Sequence, residues 1–272
     1  MMTRSYQWLA LLLIAVCFLN CSDGKNSVNA EETVNELIIN AGAGLKPALD
    51  KINAEFEDRH GTKIMTQYMC SAMVLSNLLL ARETDVFFPG SEYYMKIAIE
   101  KGAVNDGDAF PAAYMIPVIT TPKGNPKNIR TLEDMARPGV KVGLGEFETV
   151  AIGRLTKKML TEEGLFEAVS KNHVFVGPNS TKLQLNVALG SIDAAINWKA
   201  TVIMFSDKCD YIDIPLEQLK YSIAPCGFST FSKNKPLAQN YVAFIMSDEG
   251  QAIFESEGYT LPKSTRNLDR VE

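Results

Sequence analysis

Four short stretches of this chain place glycine or serine where an apolar, β-prone run gives way to a helix-forming one. They lie at Gly44, at Ser71, at Thr149 to Ile152 and at Ser180. The first four N–H groups of a helix have no intrahelical acceptor, and the aligned peptide dipoles leave that end partly positive. Such ends suit anions, and glycine lets a bound group come close to the backbone. Each helix end contributes roughly 0.3–1 kcal/mol towards an anion. One junction of this kind is commonplace. Four, divided evenly between two α/β stretches, predict a small anion held between two units.

Residues for other chemistries are sparse. His60 and His173 are the two histidines, and neither has a partner at metal-ligand spacing. No G-x-S-x-G elbow occurs. Gly42 and Gly44 lack the third glycine of a dinucleotide fingerprint, because Pro47 stands in its place. Met65, Met69, Cys70 and Met73 form a soft-sulfur group that would suit Cu(I), but packing explains it better. Tyr93 and Tyr94 sit on a predicted helix away from the four loops. Glu146 and Glu148 read as a solvated loop rim. No catalytic residue, cofactor or metal site is expected.

The elements that must position these residues alternate regularly. Residues 35–40 read as a strand, and Leu45, Leu49, Ile52 and Phe56 recur at helical spacing up to His60-Gly61. A strand over 63–69, a helix capped by Ser71 and running to Arg82, a strand over 85–88 and a helix over 93–101 follow. After a β-rich run at 115–121 and a turn at Pro122 to Pro126 the pattern resumes. It has strands at 140–144, 174–176 and 194–197, and helices at 150–164 and after Ser180. Residues 211–214 and 222–231 are strand-like, and 236–258 is helical with a break near Ser247. This alternation predicts an α/β fold with two doubly wound units.

Trp8 to Leu19 is an unbroken apolar run behind Arg4, too short to span a bilayer and suited to a signal-peptide core. Residues 1–21 are expected to be a signal peptide of lipoprotein type, with Cys21 lipidated. An ordinary signal cleaved near Ala30 and a retained anchor are the alternatives. Residues 22–33 read as a flexible tether. The formal net charge is −5 at pH 7, and no basic cluster argues for nucleic acid. In an oxidising compartment Cys209 and Cys226 could pair across about 16 intervening residues, a bridge worth roughly 3 kcal/mol. Three buried free thiols, with Cys70, are the alternative.

Several motifs carry a resemblance. Ala41-Gly-Ala-Gly-Leu-Lys-Pro-Ala-Leu is a first loop and helix, and Cys70-Ser71-Ala72 a second loop before Thr84-Asp85-Val86-Phe87. Ala136 to Gly145 and Glu148 to Gly153 form a third. Gly190 to Trp198 is a strand with a terminal aromatic residue, and Ser247 to Glu255 with Gly258-Tyr259 is a C-terminal helix. Over about 35–265 the chain resembles the substrate-binding proteins of molybdate/tungstate ABC importers, which have a type II periplasmic-binding-protein fold. The resemblance implies ligand contacts at Gly44, Ser71, Ile152, Ser180 and Trp198, with Ala43, Cys70, Thr149 and Val150 as pocket neighbours. Gly44 replaces a serine of the family pattern and Trp198 a tyrosine. It also implies lobe I over 34–117 plus 224–272 and lobe II over 118–223, joined by crossovers near 116–121 and 219–226. A small oxyanion ligand, a separate membrane permease, a monomer and a periplasmic or cell-surface location complete the expectation.

Overall fold

A computed structural model describes residues 35–260. The signal peptide, Cys21 and the tether over 22–33 lie outside the described residues, as do 261–272. Strand β1 (Glu36–Gly42) passes through a 3-10 turn (Ala43–Leu45) into helix α1 (Lys46–His60). Next come β2 (Lys63–Met69), α2 (Ser71–Ala81), β3 (Val86–Phe88) and α3 (Glu92–Glu100). β4 (Ala109–Met115) is separated only by Ile116 from β5 (Pro117–Pro122). β6 (Val142–Gly145), α4 (Ala151–Glu162), α5 (Phe166–Ser170) and β7 (His173–Gly177) follow. Then come α6 (Ser180–Ala188), β8 (Ala194–Trp198), α7 (Lys199–Ile203) and β9 (Cys209–Asp213). β10 (Ser222–Phe228), α8 (Lys235–Met246) and α9 (Asp248–Ser256) complete the order.

The strands form two five-stranded sheets, ordered β2-β1-β3-β10-β4 and β7-β6-β8-β5-β9. In the first, β1 pairs parallel with both β2 and β3, while β10 runs antiparallel to β3 and β4. The second repeats the plan: β6 is parallel to β7 and β8, and β5 is antiparallel to β8 and β9. Both β1 and β6 therefore lie where strand order reverses, and a crevice opens at the carboxyl ends of strands at such a point. The chain crosses between sheets twice, at Ile116 and over residues 214–221. The architecture is the expected α/β fold with two doubly wound units.

Local causes are visible in the elements. β1 buries Leu37, Ile39 and Ala41 completely on one face, while Glu36 and Ile38 on the other are only partly buried. α1 buries Leu49, Ile52 and Phe56, carries Pro47 in its first turn and stops at Gly61, whose φ of 57° is a left-handed cap. One continuous apolar cluster runs through both sheets, joining Leu37, Ile39 and Phe88 to Ile119, Leu144 and Ile196. Two smaller clusters cover the outer faces, around Leu78 and Phe87 and around Leu183 and Val187.

Three elements depart from the sequence reading. β4 starts at Ala109, before the β-rich run. Pro111 concealed it, yet β4 is an edge strand and Pro111 faces a register shift at Ala224/Pro225, where a missing N–H is tolerated. The five-residue helices α5 and α7 are too short to show a period. The Cys209–Cys226 pairing is overturned: Cys70, Cys209 and Cys226 are all free and buried. Cys209 packs with Leu183 and Val187, whereas Cys226 belongs to the cluster of the other sheet. The second crossover lies between them, so short spacing in sequence does not become closeness in space. Denatured without reductant, residues 31–272 should take up three alkyl groups by mass spectrometry; uptake of one would restore the disulfide.

Candidate functional site

The four junctions converge. Gly44 with Ala43, Ser71 with Cys70, Ile152 with Val150, Ser180 and Trp198 all line one cavity of about 250 Å³ of empty space. Gly42, Met69, Gly90, Met115, Ala151 and Asn179 complete the wall. Only about 20 Å³ of it is open to the centre of a water-sized sphere, so the space suits a compact ion. No lining residue carries a charged side chain. Among the described residues no cluster of His, Cys, Asp or Glu is arranged to hold a metal ion. The first turns of the 3-10 turn with α1, and of α2, α4 and α6, present backbone N–H groups that no preceding carbonyl can accept.

Each junction has its own device. Ser71 is not the cap expected from sequence: Cys70 occupies the N-cap with no side-chain bond, and Ser71 is the first helical residue. The Ser71 hydroxyl instead accepts the Gly90 N–H at 3.1 Å, which leaves its own proton free to be donated. Ser222 Oγ donates to the Gly90 carbonyl at 3.0 Å and holds that loop. At α4 the chain turns very tightly. A Cβ on Gly145 would lie 2.9 Å from the Gly153 nitrogen, and one on Gly153 would strike the Gly145 and Glu146 carbonyls. Glycine at both positions brings the α4 N-terminus against the end of β6. Ser180 is 3% exposed, and its Oγ has no hydrogen-bond partner among the described residues. An unpaired buried hydroxyl costs about 1–3 kcal/mol, and a ligand in the cavity would satisfy it.

A buried polar network behind the wall fixes α6 against β8. Gln184 Nε2 donates to Thr120 Oγ1 at 2.9 Å, and Asn197 Nδ2 donates to Gln184 Oε1 at 3.0 Å and to the Ser180 carbonyl at 2.9 Å. Asn197 Oδ1 accepts the Trp198 backbone N–H at 2.9 Å. On the opposite wall, Tyr259 Oη donates to the Gly44 carbonyl at 2.6 Å. Burial holds the Tyr259 phenol well above its ordinary pKa, so this donor stays protonated.

Thr149 does not line the cavity. Its hydroxyl donates to Glu146 Oε2 at 2.5 Å, and its carbonyl accepts the Ala72 N–H at 3.2 Å. Glu146 also accepts the N–H groups of Glu148 and Thr149, at 3.0 and 2.7 Å, and so shapes the loop before α4. Burial pushes this carboxyl up, but the Thr149 hydroxyl and the loop N–H groups outweigh it, and the net shift is downward. Glu148 is exposed. Its carbonyl accepts from Tyr94 Oη at 2.9 Å, while Arg154 stacks 3.8 Å over Tyr93. These contacts join α3 to α4 and to the loop before it.

Sequence reasoning missed Gly90, Met115, Ala151 and Asn179 in the wall, and Asn197 and Tyr259 behind it. The Asn179 signal was present: an Asn before a helix is a capping residue, and its side chain accepts the Lys182 N–H at 2.8 Å. Gly90 and Met115 carry no local signal, because they reach the cavity through sheet topology.

Residues 37–260 match the family model for bacterial extracellular solute-binding proteins. The chain is 26% identical over 253 residues to the "Putative ABC transporter substrate-binding lipoprotein YvgL" of Bacillus subtilis, spanning 92% of this chain and 94% of that one. It is 21% identical over 242 residues to the molybdate-binding protein ModA of Mycobacterium tuberculosis, spanning 89% and 90%. The periplasmic molybdate-binding protein of Azotobacter vinelandii superposes with a TM-score of 0.75 at 17% identity, over 83% of this chain and 99% of that one. The structural likeness carries the type II periplasmic-binding-protein fold.

Two outcomes check this geometry. Asn197→Ala strips three buried groups of their partner and should lower the unfolding free energy by about 2–3 kcal/mol in urea titration; a change below about 0.5 kcal/mol would refute the network. The depressed Glu146 acid stabilises the folded chain above its usual value of 4.5, and that contribution vanishes as pH falls through the folded value. The melting-temperature gap between wild type and Glu146→Gln should therefore narrow from pH 7 to pH 3. A gap that is constant or widens contradicts the assignment.

Proposed function

We propose that this chain, which belongs to the bacterial extracellular solute-binding protein family, is the capture component of an ABC importer and that its cargo is a small oxyanion, molybdate or tungstate. One observation carries the reading: four helix N-termini meet in a small cavity that offers neutral donors and no charged side chain. A dianion brings the acceptors that these donors lack. Hydrogen bonds to a charged group contribute about 1.5–3 kcal/mol each, so five such donors supply useful affinity even after the cost of desolvating the ion. The wall has no carboxylate to accept a proton, and this disfavours anions that remain protonated near neutrality.

In this reading residues 35–116 plus 222–260 form one lobe and 117–221 the other, each a few residues from the bounds expected from sequence because Pro117 starts β5 and Ser222 starts β10. They close on the ligand by a hinge at the two crossovers. Gly44, Ser71, Ile152, Ser180 and Trp198 are the contacts. Nothing in the cavity performs chemistry on the ion, and transport belongs to a separate permease and ATPase. Lipidation at Cys21 would tether a monomer to the membrane, in the periplasm or at the cell surface. A second reading, a sensor or scavenging lipoprotein for another oxyanion, an organic anion or a metal ion, is favoured by Gly44 and Trp198, where the family pattern has serine and tyrosine.

A thermal melt of residues 31–272 tests the reading. A ligand at 100 times its Kd adds about 2.7 kcal/mol, roughly 5–10 °C in a domain of this size. Molybdate and tungstate should give this shift, and sulfate and phosphate should not. If no oxyanion shifts the melt, the oxyanion assignment falls.

A further inference from the structure

Glycine at position 44 is not demanded by its backbone. Gly44 is absent from the residues with positive φ, and its segment is a short 3-10 turn open to any residue. What excludes a side chain is Trp198. A Cβ on Gly44 would lie 2.8 Å from the indole Nε1 and closer still to Cδ1, with Met115 Cε also at 2.8 Å. The Met115 tip ends a flexible side chain and can shift, but the indole has little room to do so. Trp198 is 2% exposed, its backbone N–H is held by Asn197, and it pairs with Pro117 at the end of β8. On the other side the Gly44 carbonyl is held by Tyr259. Gly44 follows β1 and Trp198 ends β8, so the contact bridges the two sheets. The indole ring borders the cavity, and among the described residues its N–H donates to no protein group.

We propose that Gly44 and Trp198 act as one specificity-determining pair: the indole occupies the space of a residue-44 side chain and gives the ligand, from Nε1, the hydrogen bond that a side chain there would supply. This rests on the oxyanion reading above. The chemical consequence is directional. A hydroxyl both donates and accepts, whereas an indole N–H only donates. At this corner the pair accepts nothing from a ligand, and so it selects fully deprotonated oxyanions over those that keep a proton.

The test is a cycle of four full-length mature proteins: wild type, Gly44→Ser, Trp198→Ala and the double variant. Alanine removes both the ring atom nearest residue 44 and the N–H donor. Each is titrated calorimetrically with sodium molybdate and melted without ligand. Trp198→Ala should weaken binding roughly tenfold to a hundredfold through loss of one hydrogen bond to a charged ligand. Gly44→Ser should weaken binding and lower the melting temperature in wild type, because its side chain collides with the indole. In the Trp198→Ala background the same substitution should regain affinity, its hydroxyl replacing the lost donor. This reversal of sign is the signature of the pair. Equal effects of Gly44→Ser in both backgrounds, or wild-type affinity in Trp198→Ala, would overturn it. Wild-type protein that binds none of molybdate, tungstate and sulfate would overturn the oxyanion reading and the donor role with it. The unliganded melts then decide the steric half: a loss on Gly44→Ser that disappears with Ala at 198 supports it, and a loss independent of residue 198 refutes it.

Discussion

Backbone N–H groups at a helix start must find an acceptor, and here four such starts border one small space whose lining has no charged side chain. The Ala72 and Lys182 N–H groups are taken by the Thr149 carbonyl and Asn179, which leaves the other first-turn donors there to a ligand. Each buried donor left unpaired costs about 1–3 kcal/mol, and the Ser180 hydroxyl already stands without a partner. No carboxylate relieves this, because none lines the cavity. The arrangement is a standing demand for acceptors, and the surrounding architecture can be understood as what makes that demand geometrically sharp. Strands end at the cavity, helices begin there, and the polar side chains behind the wall are used up in holding its shape.

The fold meets the constraint by building the same unit twice. In each sheet a central parallel strand, β1 or β6, lies at a reversal of strand order, and the helix after it starts at the crevice. The neighbouring units supply α2 and α6. Fine positioning then falls to residues with no part in a ligand contact. Gly145 and Gly153 permit the close turn at α4, Asn197 ties the α6 start to β8, and Tyr259 reaches from the far end of the chain to the Gly44 carbonyl. The acidic balance of the chain does not oppose the anion proposed for the cavity, because dipoles and N–H groups act over a few ångströms while net charge is screened by salt.

Much of this was legible in the sequence, for a physical reason. Helix starts are local events, so the junctions at Gly44, Ser71, Thr149 to Ile152 and Ser180 could be identified from the strand-to-helix changes beside them, while the choice of Ile152 within the third came from the family resemblance. The alternation of elements gave the α/β class. Long-range consequences were not legible. Nothing near Cys209 or Cys226 announces that the chain changes sheets between them. Gly90 and Met115 enter the wall only because β3 and β4 belong to the first sheet. Thr149 was placed in the pocket by its neighbours, but Glu146 three residues earlier offers its hydroxyl a stronger, charged acceptor. Gly44 and Trp198 were each visible as departures from the family pattern; that each requires the other appears only when the indole is seen lying where a Cβ would be.

The most direct measurement is crystallographic: the mature chain crystallised with molybdate, with anomalous differences collected across the molybdenum absorption edge. The account predicts a single strong peak inside the cavity, with its oxygens within hydrogen-bond distance of the first-turn N–H groups at Gly44, Ser71, Ile152 and Ser180 and of the Trp198 indole. A peak confined to the protein surface, or a cavity that stays without one at saturating molybdate, would contradict it.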